Sequence, residues 1–215
     1  MKKWKSALII TSIVVLISLL LFFLPPENIL KHIPIIKSFY QNTTLEITVP
    51  NGKASVKVNG KEYGETPVNI QNLTTGEYEV QLERISSEEG FYKPQIFNIE
   101  LSKNSTARIN IEIGPDNNLY GSLLYYTEDI GIKNSKGKLT VTSNAPNTKI
   151  YLNSEFLKSA PLTNLDINEG EYELSLQASE YEKVDIPIVV RKGYTLNIKG
   201  YLLAIPVIFE EEIDE

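Results

Sequence analysis

Histidine and cysteine set the first bounds on the chemistry open to this chain. Its 215 residues include one histidine, His32, and no cysteine. Thiolate catalysis, disulfides and cysteine-based zinc sites are therefore excluded. A Ser-His-Asp relay needs its imidazole within hydrogen-bond reach of the nucleophile. His32 instead falls in an apolar stem ahead of the strand-rich part, and reads as a partly solvated stem residue. A zinc site resting mainly on histidine fails likewise. Asp116-Asn117-Asn118-Leu119-Tyr120-Gly121 superficially resembles a calcium loop. Its fifth and twelfth positions would be Tyr120 and Thr127, where carboxylate or amide ligands are required, so it reads as a turn. Glu77 with Glu79, and Glu171 with Glu173, are carboxylate pairs of the kind that cleave glycosides. Each pair alternates with apolar residues, which puts it on the outer face of a strand as ordinary solvated acid. Glu210, Glu211, Glu212, Asp214 and Glu215 read as a solvated tail over 206–215. No catalytic residue, cofactor or metal ligand is expected.

Aromatic residues offer better prospects for binding than for catalysis. Tyr120, Tyr125 and Tyr126 lie between two strand-rich blocks, and Phe91-Tyr92 in a loop of the first. Tyrosine joins a large contact area to a polar tip and suits protein or sugar surfaces. The competing reading is that these rings, with Leu123 and Leu124, pack one block against the other.

An anchor precedes both blocks. Residues 7–24 read ALIITSIVVLISLLLFFL without a charge. As a helix this run spans roughly 27 Å, close to the hydrocarbon thickness of a bilayer. Trp4 suits the headgroup level, and Pro25-Pro26 ends the helix. Lys2, Lys3 and Lys5 place the N-terminus in the cytoplasm, and everything after Pro25 outside. A cleaved signal peptide is the rival reading. The run is longer than a usual signal core, and no small-x-small cleavage site follows it. Residues 25–44 form an apolar stem, lying along the interface or packed on the first block. Beyond residue 24 the chain carries 18 basic and 27 acidic side chains. That excess repels phosphate backbones, so nucleic acid is not an expected partner.

The two blocks are copies of one another. Moved by 94 positions, residues 45–83 fall on 139–177 without a gap: Leu45, Asn59, Pro67, Gly76, Glu77, Tyr78 and Leu82 meet identical residues. Beyond this stretch the shift drops to 89, so the first copy carries about five extra residues around Ser86–Gly90. Tyr78, Val80 and Leu82 alternate with Glu77, Glu79 and Gln81, the period-two signature of a half-buried strand. Asn59-Gly60 is the pair favoured in a type I′ hairpin, and Asn153-Ser154 a weaker version of it. Strands are expected at 45–49, 95–101 and 106–113, with counterparts at 139–143, 184–190 and 194–203. The pattern predicts an all-β chain: two tandem small antiparallel β-sandwich modules behind one transmembrane helix.

The string VKVNGKEYGETPVNIQNLTTGEYEVQLE resembles the PEGA family. The matching positions are Asn59, Gly60, Gly64, Thr66, Pro67, Leu73, Gly76 and Tyr78, followed by Gly90-Phe91. In the second copy Asn153, Pro161, Gly170 and Tyr172 match, while Lys158-Ser159-Ala160 and Ser179-Glu180-Tyr181 depart from the pattern. The resemblance implies a transthyretin-like or Ig-like sandwich, module 1 over 45–114 and a divergent module 2 over 137–205, joined by 115–136. Its recurring residues serve turns and packing. It implies a surface module and no particular activity.

The expected function is a membrane-anchored, non-catalytic binding or structural module of the cell envelope. Its partners are the bilayer through residues 7–24 and an envelope protein or cell-wall polysaccharide. The alternative is an adaptor that docks a membrane enzyme, transporter or secretion complex.

Overall fold

Alternating apolar and polar residues build every element that positions the surface of this protein. The computed structural model describes residues 43–87, 90–115, 118–129, 131 and 135–206, together with Val15 and Ser18. The rest of the anchor segment, the stem with His32, and the tail beyond residue 206 lie outside the described residues. Among the described residues no helix is long and apolar enough to cross a membrane. The strands all belong to the unit Asn42–Glu215.

Module 1 contains β1 (Thr44–Thr48), β2 (Ala54–Val58), β3 (Lys61–Glu65), β4 (Val68–Gln71), β5 (Gly76–Arg84), β6 (Gln95–Leu101) and β7 (Thr106–Ile113). Then comes β8 (Leu119–Glu128). Module 2 repeats the series as β9 (Lys136–Ser143), β10 (Lys149–Leu152), β11 (Glu155–Ser159), β12 (Leu162–Asn168), β13 (Gly170–Gln177), β14 (Val184–Val190) and β15 (Tyr194–Tyr201). The strands form one seven-stranded sheet, in the order β12-β9-β15-β8-β7-β1-β4, and two four-stranded sheets, β3-β2-β5-β6 and β11-β10-β13-β14.

The all-β expectation holds, with two corrections to the architecture. The modules are not purely antiparallel, because β1 pairs parallel with β7 and β9 parallel with β15. Nor are they separate sandwiches in series. They share the long sheet, and the stretch read as an inter-module segment supplies its central strand. β8 pairs antiparallel with β7 on one side and with β15 on the other.

Register explains how one strand serves two cores. Ile109 of β7 sits opposite Leu123, whereas its counterpart Ile198 of β15 sits opposite Leu124. Equivalent residues of the two modules thus face successive residues of β8, and successive side chains leave a strand on opposite faces. Leu119, Leu123 and Tyr125 therefore join the core of module 1. Tyr120, Leu124 and Tyr126 join that of module 2. The two four-stranded sheets cover opposite faces of the shared sheet. The run Leu123-Leu124-Tyr125-Tyr126 is apolar throughout because the strand is covered on both sides.

Each core closes in the same way. Leu45, Ile47, Leu82, Ile109 and Ile111 are wholly buried in module 1, as are Leu139, Val141, Ile150, Leu174 and Leu176 in module 2. Truncating one such side chain to alanine costs about 2–5 kcal/mol. Asn59 and Gly60 adopt φ of 48° and 76°, as the type I′ reading requires. Asn153 and Ser154 take the same turn at 49° and 68°, so module 2 keeps the geometry without the glycine. Both asparagines brace the neighbouring strand of their sheet, β5 or β13: the Glu79 N–H donates to Asn59 Oδ1 at 2.8 Å, and the Glu173 N–H to Asn153 Oδ1 at 2.9 Å.

Two stability predictions follow from turn and sheet. Ser154→Gly removes a side chain from the left-handed region and is expected to stabilise the protein by about 0.5–1 kcal/mol, read as a raised urea midpoint at unchanged slope. A lowered midpoint would contradict the strained-turn account. Gly121, at φ +131°, lies where β7 and β15 both flank β8, and a Cβ there would run into the Asn110 carbonyl oxygen. Gly121→Ala is expected to cost more than about 2 kcal/mol. Because both cores hang on β8, circular dichroism and tyrosine fluorescence should report one coincident unfolding transition in each protein. Two separated transitions would show that the modules fold independently.

Candidate functional site

The aromatic residues singled out from the sequence are mostly structural. Tyr126 is buried, its hydroxyl donating to the Val189 carbonyl at 2.6 Å. The Arg191 guanidinium lies over its ring at 5.0 Å. Burial pushes the Tyr126 hydroxyl pKa up, against the opposing pull of Arg191 and Arg108. Tyr120 is half-buried and donates to the Lys183 carbonyl at 2.7 Å. Burial raises its pKa too, aided by the charges of Glu182 and Asp185. Tyr125 is half-buried against the core of module 1. These three rings are therefore not an exposed patch. They seal the junction where the two modules meet.

The two hydroxyl bonds also close a sheet edge. Lys183 and Val189 lie on β14 or at its mouth, and their carbonyls would otherwise stand open to another strand. Pro187, of the same parity, has no N–H to offer. Turn meets turn nearby: Arg191 donates to the Asn104 carbonyl at 2.8 Å, and the Tyr194 hydroxyl to that of Lys103 at 3.0 Å.

Tyr92 and Phe91 part company. Tyr92 is half-buried beneath the Arg84 guanidinium, 4.9 Å from its ring centroid. Arg84 pairs with Glu112 and donates to the carbonyls of Ile113 and Asn51, each at 2.7 Å. It fastens the β5–β6 loop, the β1–β2 turn and the end of β7 to one another, so these bonds serve the framework. Phe91 stays 47% exposed at the loop tip.

The family-motif residues prove to be framework. Thr66 accepts a hydrogen bond from the Ala54 N–H at 3.0 Å within the buried core of module 1. In module 2 the corresponding pair is inverted, Ala160 facing Thr148, whose hydroxyl donates to the Ala145 carbonyl at 2.8 Å. Tyr78 and Tyr172 each donate to the carbonyl four residues upstream, Thr74 and Asn168. Pro67 and Pro161 both follow cis peptide bonds. Gly64 has φ +91°, with open space where a Cβ would go. Glu77, Glu79, Glu171 and Glu173 are all exposed on the outer faces of their sheets. Among the described residues no group of three or more His, Cys, Asp or Glu side chains could hold a metal ion.

One aromatic pair on an outer sheet face, an exposed Phe beside a half-buried Tyr, escaped the sequence reading. Tyr151 on β10 and Phe156 on β11 are direct cross-strand partners on the outer face of module 2's four-stranded sheet. Their rings meet edge to face, centroids 5.7 Å apart, and Phe156 is 58% exposed. The 94-residue shift aligns them with Lys57 and Glu62, which form an ion pair in module 1 at 3.4 Å. The signal was present in the alignment of the copies, as the position where a charge pair becomes a ring pair.

Across the sheet the row continues from Tyr151 to Ser175 and then Asp185. Ser175 Oγ donates to Asp185 Oδ1, and Lys183 Nζ lies 2.9 Å from the same oxygen. Burial pushes the Asp185 carboxyl up, but the bonds from Ser175 and Lys183 and the lysine charge outweigh it, so its pKa lies below the ordinary value. From Asp185 an open groove of roughly 720 Å³ runs along the same face, lined among others by Glu171, Glu173, Pro187, Val189 and Arg108.

The comparisons with known proteins agree with the duplicated framework. The PEGA domain matches residues 42–117 and again 136–204, more than half of the chain. No curated protein matches it. Among solved structures, the Bacillus anthracis TIE protein aligns with a TM-score of 0.27 and 14% identity, covering 74% of this chain and 34% of that one. This chain thus spans about a third of that protein's length, and the likeness is too slight to bear on the fold. Two matched regions, coinciding with the two copies of strand, turn and tyrosine, lead to one conclusion: the chain belongs to the PEGA domain family and carries the domain twice.

Proposed function

We propose that this chain is a non-catalytic binding or structural module of the cell envelope, held on the outer side of a membrane by residues 7–24. The shared sheet carries this reading. Two cores built on one strand make a body whose loops and outer sheet faces are held in fixed relation, which suits presentation of a surface more than chemistry at a cleft. The anchor sequence supports the placement, with three lysines ahead of an uncharged run of eighteen residues. The net acidity of the remainder disfavours a nucleic-acid role.

The adaptor reading loses one of its two motives. It rests on the apolar stem and on the Leu123-Leu124-Tyr125-Tyr126 run as docking surfaces, and β8 spends that run on the two cores. Docking through the anchor or stem is what remains of it.

The absence of native cysteine makes the topology testable with one introduced thiol. Ser87 is exposed in the β5–β6 loop, away from both cores. In intact cells, Ser87→Cys is expected to react with a membrane-impermeant maleimide to nearly the extent seen after lysis. Labelling that appears only after lysis would put the modules inside and overturn the proposal.

A further inference from the structure

We propose that the outer face of module 2's four-stranded sheet binds a neutral, hydroxyl-rich glycan, with Tyr151 and Phe156 as its stacking platform. This rests on the reading of the chain as a non-catalytic binding module and names the ligand class of one surface.

The argument begins with the internal comparison. The row Phe156–Tyr151–Ser175–Asp185 in module 2 corresponds to Glu62–Lys57–Gln81–Ile96 in module 1. Module 1 shows what the fold needs at these positions, a solvated ion pair suffices, and the rings of module 2 are therefore not required for packing. An exposed Phe beside a Tyr costs solubility unless something covers it.

The neighbours say what that cover is. The aromatic end of the row offers apolar area without charge. A sugar ring presents C–H groups on one face that pack against such rings, and hydroxyls around its rim that need hydrogen-bond partners. Asp185 supplies these: Ser175 and Lys183 both engage Oδ1, so Oδ2 is left to accept from a hydroxyl. The row spans roughly 14 Å across four strands, about the length of two or three linked sugars. The groove continues from Asp185 past Glu171 and Glu173, whose carboxylates are acceptors for further hydroxyls.

Size and charge dispose of the other occupants. Two rings offer at most about 150–250 Å² each, far short of the roughly 800 Å² per partner in a stable protein interface. Glu171, Glu173 and Asp185 outnumber Arg108 and Lys183 along the groove, which disfavours nucleic acids and acidic polymers.

The test uses an exchange that module 1 has already shown the fold accepts. Tyr151→Lys with Phe156→Glu installs module 1's ion pair in module 2. The purified full chain is titrated with soluble oligomers of N-acetylglucosamine, glucose and mannose, followed by calorimetry and by amide chemical shifts. The wild type is expected to bind at least one of them saturably, with shifts centred on Tyr151, Phe156 and Asp185. The double exchange is expected to weaken that binding at least about tenfold, and Asp185→Ala to weaken it with the rings intact. Matching circular dichroism and urea midpoints establish that each variant is folded. Undiminished binding by the double exchange would overturn the assignment of the site. Absence of binding to all three oligomer classes would overturn the glycan inference, while the labelling of Ser87→Cys judges the envelope reading separately.

Discussion

Everything in this molecule depends on β8 being apolar on both faces. A strand with one wet face could end a sheet or flank one core. With Leu119, Leu123 and Tyr125 committed to one side and Tyr120, Leu124 and Tyr126 to the other, it does neither. It forces the second module onto the opposite face of the sheet from the first. Burying a strand on both sides also leaves its backbone nowhere to find water, so both edges must be paired within the protein. They are, by β7 and β15.

The duplication has been conserved where geometry is demanding and relaxed where it is not. Both copies keep a bulge in the hairpin after the second strand, at Val56/Lys57 and Ile150/Tyr151, and both brace the turn with an asparagine side chain. The exchange of Thr66 and Ala54 for Ala160 and Thr148 keeps one hydroxyl and one methyl at each site while reversing which strand supplies them. The Arg84–Glu112 pair has no such equivalent, since Ala178 and Tyr201 occupy those positions. Tyr201 instead turns toward module 1, its ring 6.0 Å from Phe97. A half-buried ion pair in one copy has become an aromatic contact between copies in the other.

Most strands were legible from the sequence because period-two alternation is a local signal. The strands expected at 95–101, 106–113 and 184–190 match those observed. Their arrangement was not legible. The parallel pairs join β1 to β7 and β9 to β15 across most of a module, and nothing in a period announces which distant strand will lie beside which. The treatment of β8 failed for a related reason. Leu-Leu-Tyr-Tyr has no alternation, and a run apolar on both sides looks the same whether two cores or one partner will cover it. The tyrosines were found, and of the two readings open to them, binding surface or packing between the blocks, their burial favours packing. Tyr151 and Phe156 went unremarked because each sits inside an ordinary strand sequence, Tyr151 between Ile150 and Leu152 and Phe156 between Glu155 and Leu157, and only pairing across β10 and β11 brings them together.

The odd offset across β8 acts as a reading frame for the whole second module. Each residue of β8 is assigned to a core by parity alone, and module 2 inherits its face of the sheet from that parity. One residue inserted ahead of Leu123 would exchange the two leucines between the cores and turn every later side chain of the strand to the wrong side. Two inserted residues would shift module 2 along the strand while leaving its face unchanged. The spacing between the domains of such a tandem is thus free to drift only in even steps.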